Sequence, residues 1–358
     1  MTTRADRGLL ERVGAKLAPS TSADPALADP PAAPGASQQA VRAQEPGRGR
    51  DAEAPQDIPA RGWRDILWRT WKEFTDDQAP LVAAGVTFYT LLALFPGIGA
   101  FVALWGLFGD VEQARRDLSG LAAVLPGGAI TVIGDQMTNV AATSEGGLSL
   151  AAAVGFGISL WSANGAAKAI MAGIGLAYDE REARGFVRKT LTSLSMTLGF
   201  LGYALVTGAV AMAESVVGRD AGVAGVLAYR AVAWPILFAA LCLGLAALYR
   251  YGPSRDKAKW RWVTWGSVFA ACAWLSMSVA FTLYAANFGS YDRTYGALGA
   301  VIGFMTWIWI SVMVVLLGAE LNAEIEHQTA RDSTVGAPRP LGDRGAAMAD
   351  TVGPSKGW

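Results

Sequence analysis

Between Leu81 and Leu321 the chain is built of long apolar runs with few interrupting charges, and on either side of that region the pattern is lost. A bilayer hydrocarbon core about 30 Å thick is crossed by a helix of about 20 apolar residues. Runs of about that length or longer occupy 81–108, 148–167, 190–213, 224–249, 262–286 and 297–321, and the second extends as a helix to Tyr178. In lipid only helices or closed barrels satisfy the backbone, and barrel strands are shorter and alternate. The expected fold is therefore all-α: a polytopic membrane helix bundle of about six transmembrane helices, its first run acting as an uncleaved anchor.

Other segments follow different periods. Residues 61–76 place Trp63, Ile66, Leu67, Thr70, Trp71 and Phe74 on one helical face, with Arg64, Asp65, Arg69, Lys72 and Glu73 largely off it. That pattern predicts an amphipathic helix at the membrane interface. Residues 109–147 carry two apolar stripes separated by Pro126-Gly-Gly128, which predicts short amphipathic helices on the outer face. Residues 1–60 and 328–358, rich in Ala, Pro, Gly and charge, read as disordered tails. Within the spans, Pro96 and Pro235 invite kinks, Gly165 a break, and Gly299 with Gly303 a seam for close helix packing.

Basic residues set the expected orientation. Arg61, Arg64, Arg69 and Lys72 precede the first span. Arg181, Arg184, Arg188 and Lys189 fill the second connection, and Arg250, Arg255, Lys257, Lys259 and Arg261 the fourth. The odd connections are poorer in Lys and Arg. The alternation puts the N-terminus, the even connections and the C-terminus in the cytoplasm. The 30 basic and 30 acidic residues cancel, which argues against a nucleic-acid partner. Membrane lipids are the expected partners, with envelope proteins or a second copy of the chain as further ones.

Candidate chemistry is sparse. Cys242 and Cys272 lie singly in apolar runs, and His327 is the sole histidine. A metal centre, a serine hydrolase triad and a Walker loop all lack their residues, so no catalytic group, metal or cofactor is expected. Intramembrane polar groups remain as candidates, because charge there is costly and tends to be functional. Glu214 and Arg230 end the third span and begin the fourth; an ion pair, snorkelling of Arg230, or an anion site are the open readings. Lys168 reads as a snorkelling cation. Glu320, Asn322 and Glu324 cluster at the end of the last span, and Glu320 and Glu324 share a face. Asn164 and Asn287 stand at span ends, where capping is expected.

Several of these residues lie in stretches that resemble one family. Leu248-Tyr-Arg-Tyr-Gly-Pro253 leads to a basic cluster and Trp262. Then come Phe281-Thr-Leu-Tyr-Ala-Ala-Asn-Phe-Gly-Ser-Tyr291, Tyr295-Gly-Ala-Leu-Gly-Ala-Val301 and Leu317-Gly-Ala-Glu-Leu-Asn322. Upstream stand Ala84-Gly-Val-Thr-Phe-Tyr-Thr-Leu-Leu-Ala-Leu-Phe-Pro96 and Leu160-Trp-Ser-Ala-Asn164. Over roughly residues 65–327 this resembles the YihY/BrkB family of bacterial inner-membrane proteins. The resemblance draws attention to Tyr89, Pro96, Pro253, Tyr284, Asn287, Tyr291, Tyr295, Gly296, Gly318 and Glu320. It implies six spans, an inner-membrane location and no settled biochemical activity, with some members linked to virulence. An older ribonuclease BN label attached to the family finds no metal-ligand set in these residues. Transport or the handling of lipids and amphiphiles is the first functional expectation, and a structural or assembly role in the envelope the second.

Overall fold

The computed structural model describes residues 34–105, 130, 133–135, 150–287 and 297–357. Residues 1–40 form one unit and 41–358 another; of the first, only the start of the helix Pro34–Ala43 is described. The expected outer segment 109–147 lies almost wholly outside the described residues, as do Tyr291, Tyr295 and Gly296.

In the second unit the helices are α1 (Ala60–Asp76), α2 (Ala79–Trp105), α3 (Leu150–Ala177), α4 (Phe186–Glu214), α5 (Gly222–Tyr251), α6 (Trp260–Asn287), α7 (Ala297–His327) and the single turn α8 (Ala347–Asp350). The described residues form no strand, only an isolated antiparallel bridge between Ala258 and Thr334. The chain is thus an all-α membrane bundle. By length and composition α4, α5, α6 and α7 can each cross a membrane, and a fifth span is added if the bent pair of α1 and the first part of α2 counts as one. The sequence led to an expectation of about six spans; among the described residues four helices, or five spans with the bent pair, are long and apolar enough to cross.

Helix α7 is the hub, in contact with α1, α2, α3, α6 and α8. Phe304, Ile308, Val312 and Leu316 recur every fourth position on it and are buried, the spacing that keeps side chains on one helix face. Toward the end of α7, Ala319, Leu321, Ala323 and Ile325 are buried as well, so this end is surrounded by protein on all sides. Against α6 the approach is closest at two glycines. A Cβ on Gly266 would lie 2.3 Å from the Gly318 carbonyl oxygen, and one on Gly318 would lie 2.6 Å from the Tyr249 hydroxyl. The seam expected at Gly303 is not used: a Cβ there meets nothing within 4 Å.

Other expectations are corrected by the backbone. Helix α3 runs unbroken through Gly165, where a break was expected; Pro96 and Pro235 lie inside α2 and α5. The sharp bend comes earlier, 61° between α1 and α2, where Gln78 adopts a φ of 51°. Gly222, at φ 61°, separates α4 from α5, a conformation that costs glycine little. Helix α1 does turn Leu67 and Trp71 outward, but Asp65 and Arg69, expected on its polar side, are 0% and 1% exposed.

Contrary to the disorder read from their composition, residues 44–58 and 328–357 are ordered. The Arg50 guanidinium donates to the carbonyls of Gln328 (3.1 Å) and Gly353 (2.7 Å), and the Ala330 amide donates to the Arg50 carbonyl at 2.7 Å. Arg344 donates to the carbonyls of Ala349 and Ala330 at 2.6 and 2.7 Å. Val335 and Lys259 amides pair with Lys257 and Ser333 carbonyls, both at 2.9 Å. Arginine side chains bonded to backbone carbonyls, together with the buried Ile58, Met348 and Val352, offset the ordering entropy of these segments.

Overpacking a tight helix contact costs about 1–3 kcal/mol. Gly266→Ala should therefore lower the unfolding midpoint of detergent-solubilised protein clearly, while Gly303→Ala should leave it unchanged. Equal effects would refute the placement of the close contact.

Candidate functional site

The polar end of the bundle gathers the start of α2, the end of α3, the start of α4, the end of α5, the start of α6 and the end of α7. On α7, Glu320, Asn322, Glu324 and Glu326 are 2%, 0%, 1% and 0% exposed. A buried carboxylate left without a partner would cost several kcal/mol, so what faces each of these groups determines how the surrounding segments are placed.

Glu324 forms a close ion pair with Arg69 of α1. The same guanidinium donates to the Glu324 carbonyl (3.2 Å), to Gln328 Oε1 (2.7 Å) and to the Pro354 carbonyl (2.9 Å). Gly353 lies against it, and a Cβ there would stand 2.6 Å from Arg69 Nε. His327 Nδ1 is 3.5 Å from Glu324, and His327 Nε2 shares a hydrogen bond with Thr351 Oγ1 at 3.1 Å. Glu326 receives a two-pronged contact from Arg255, at 2.5 and 3.0 Å, with both side chains fully buried. Ser333 Oγ donates to Glu326 at 2.9 Å, and the Arg255 guanidinium lies 4.3 Å from the centre of the Tyr178 ring. Asn322 accepts from the Gly266 amide at 2.7 Å and donates to the Val263 carbonyl at 3.0 Å, which locks α7 to α6.

Glu320 is the exception. Among the described residues no cation lies within ion-pair distance of it. It lines a recess of about 10 Å³ with Asp77, Val82, Gly173 and Leu316, room for about one water. The carboxyl of Asp77, in the break between α1 and α2, lines the same recess beside it. Two carboxyls in such contact hold one proton between them. Burial, with Asp179 and Glu73 nearby, pushes the Asp77 carboxyl up to about 6.

The other candidates separate from this cluster. Arg230 Nε and Nη2 lie 3.0 and 2.6 Å from Glu214 Oε1. The pair is partly exposed, 53% for Arg230 and 25% for Glu214, and the Tyr229 hydroxyl beside it donates to the Val210 carbonyl at 2.9 Å. Lys168 Nζ sits 5.1 Å from the Trp161 ring centre and 5.9 Å from that of Phe186. Asn164 does not cap a helix: it is buried inside α3, and its Oδ1 accepts from Thr197 of α4 at 3.3 Å. Asn287 ends α6, and its side chain lies outside the described residues. Tyr89 and Tyr284 are exposed, and Pro253 is buried at the end of α5. Among the described residues no group of three or more His, Cys, Asp or Glu could hold a metal ion.

Arg69, Arg255 and Asp77 were not singled out by the sequence. The family pattern marked Glu320, and the basic fourth connection does meet an acid of the last span. The acid it meets is Glu326. No periodicity shows that Arg69, on the charged side of α1, turns inward.

The raised Asp77 value has a testable sign. The folded chain holds this proton more tightly than the unfolded one, so Asp77 costs nothing to the fold below pH 3.8. The cost grows as pH rises to about 6 and is constant above it. Asp77→Asn should raise the unfolding midpoint above about pH 6 and leave it unchanged near the ordinary carboxyl value. A pH-independent difference would remove the shared proton from the account.

The family model described as virulence factor BrkB matches residues 70–340. The putative ribonuclease-like protein YfkH of Bacillus subtilis is 28% identical over 271 residues, which are 72% of this chain and 94% of that protein. A UPF0761 membrane protein of Verminephrobacter eiseniae is 26% identical over 75% of this chain, the match spanning 63% of the relative. A UPF0761 membrane protein of Pseudoalteromonas translucida is 26% identical over 72% of this chain and 85% of its own length. No solved structure matches. The matched region takes in every long helix of the bundle and the first part of the C-terminal segment, and the chain belongs to the BrkB virulence factor family of membrane proteins.

Proposed function

We propose that this chain is an inner-membrane protein, with both termini cytoplasmic, that handles a lipid or similar amphiphile at the bilayer. The observation that carries the reading is the spacing of cations on α5. Arg230 and Arg250 are 20 residues apart on one helix, a rise of about 30 Å, equal to the thickness of the hydrocarbon core. Arg230 is matched by Glu214, whereas the described residues give Arg250 no acidic partner. A helix that presents guanidinium groups at both membrane boundaries is suited to anionic headgroups on both sides. No ribonuclease chemistry is proposed, because the described residues offer no metal-binding group.

A second reading, a structural or assembly factor of the envelope, is favoured by a different observation. Glu324 and Glu326 at the end of α7 are each matched by an arginine, and the recess beside Glu320 admits little more than a water. Flux separates the two. Purified protein in phosphatidylglycerol-containing vesicles should accelerate transbilayer movement of a fluorescent phospholipid, and Arg230→Gln should slow it several-fold. A rate equal to that of protein-free vesicles would leave the structural reading standing.

Topology has its own test. Reporter fusions after residues 183, 256 and 335 should report the cytoplasm and a fusion after 125 the outside. An external signal at 183 or 256 would defeat the orientation.

A further inference from the structure

On the same end of the bundle as the α7 cluster, a second concave surface opens between the start of α4, the end of α5 and the connection that follows it. It encloses about 450 Å³, within the range of small-molecule sites. Its wall carries the cations Arg184, Arg188, Arg250, Arg255 and Lys257 and one acid, Asp256. Part of this charge is already matched. Arg184 is paired with Glu182 at 2.8 Å, Arg255 with Glu326 at 2.5 Å, and Asp256 with Arg339 at 2.6 Å. Arg188, Arg250 and Lys257 have no counter-charge within ion-pair distance among the described residues.

Arg250 is the informative one. It is 9% exposed, and its Nε and Nη1 have no hydrogen-bond acceptor. Its guanidinium lies 4.5 Å from the centre of the Trp260 ring and 5.5 Å from that of Tyr251. Aromatic faces attract the cation but leave its in-plane N–H groups free. A buried guanidinium without an anion is unfavourable, and its fork of donors matches the oxygens of a phosphate. Lys257 Nζ stands over the other aromatic partner, 5.1 Å from the Tyr251 ring centre. The surroundings are those of a membrane boundary. Trp260, Phe186 and Trp161 are 42%, 72% and 55% exposed at this end, with Lys168 between the last two, the kind of aromatic and cationic belt found at headgroup level.

We propose that this pocket binds a phosphate-bearing anion through Arg250, Arg188 and Lys257, and that the source is the headgroup of an anionic phospholipid. The proposal deepens the lipid-handling reading by naming the headgroup class, and it rests on that reading for its physiological source.

The test is thermal unfolding of the full chain in neutral maltoside micelles. It is titrated with dioctanoyl phosphatidylglycerol, dioctanoyl phosphatidylcholine or inorganic phosphate. Phosphatidylglycerol should raise the midpoint in a concentration-dependent way, and phosphatidylcholine should not. Arg250→Gln should abolish the shift without lowering the midpoint in the absence of lipid, since it removes a buried cation that lacks an anion. Arg188→Gln and Lys257→Gln, both at exposed positions, should each weaken the apparent affinity several-fold and keep the test decisive if Arg250→Gln folds poorly. An equal shift with inorganic phosphate would support the phosphate site and overturn the lipid source. No shift with either anion, or a shift that survives all three substitutions, would overturn the site itself. Binding without transbilayer movement would defeat the lipid-handling reading alone, and movement without binding would defeat only this pocket.

Discussion

A carboxylate taken out of water has to be met by a cation or a proton, and α7 takes three glutamates out of water within two turns. Glu324 is met by Arg69 from α1, Glu326 by Arg255 from the connection after α5, and Glu320 by the carboxyl of Asp77. Each partner arrives from a different stretch of chain, so satisfying three charges fixes three segments against one helix. The terminal segments follow from the same constraint. Once Arg69 is buried, its remaining donors need acceptors, and the carbonyls of Glu324 and Pro354 and the side chain of Gln328 supply them. The order of residues 328–357 therefore depends on charge burial at the end of α7 as well as on the few apolar side chains they bury, such as Met348 and Val352.

That dependence explains what the sequence revealed and what it concealed. Runs of apolar residues long enough to cross a bilayer are a strong local signal, and α4 to α7 stand close to where those runs lie. The Glu214–Arg230 contact was also legible, because a short connection between antiparallel helices brings their facing ends together. The tails were not legible. Their composition resembles that of a disordered chain, and guanidinium-to-carbonyl bonds that order them join residues far apart in the chain, such as Arg50 and Gly353, 303 positions apart. Nor does periodicity reveal that Arg69 lies inward on an amphipathic helix. In the structure the apolar Trp71 points outward and Arg69 faces protein, because Glu324 waits on α7. Asn164 misled for a similar reason: a polar residue next to glycine reads as a helix end, whereas here it meets Thr197 across two helices.

At the polar end almost every buried charge has its partner, and these pairs register helix starts and stops against one another. The departures from full pairing are local: the Asp77–Glu320 carboxyls and the donors of Arg250. A fold that matches so many charges and leaves these few unmatched concentrates its capacity for protons and anions in two small places. Both lie beside the connections that join spans to one another, where a bound group can alter how neighbouring helices meet.

The central claim is that α7 is held by neutralising buried carboxylates, and the Arg255–Glu326 pair tests it most directly, since both side chains are fully buried. Thermal unfolding of Arg255→Met, Glu326→Gln and the double variant in lipid nanodiscs gives the coupling between them. Removing the arginine alone should cost about 3–5 kcal/mol, because it strands a buried carboxylate. The double variant should be clearly more stable than Arg255→Met. If the two losses simply add, charge neutralisation does not hold this end of the bundle together.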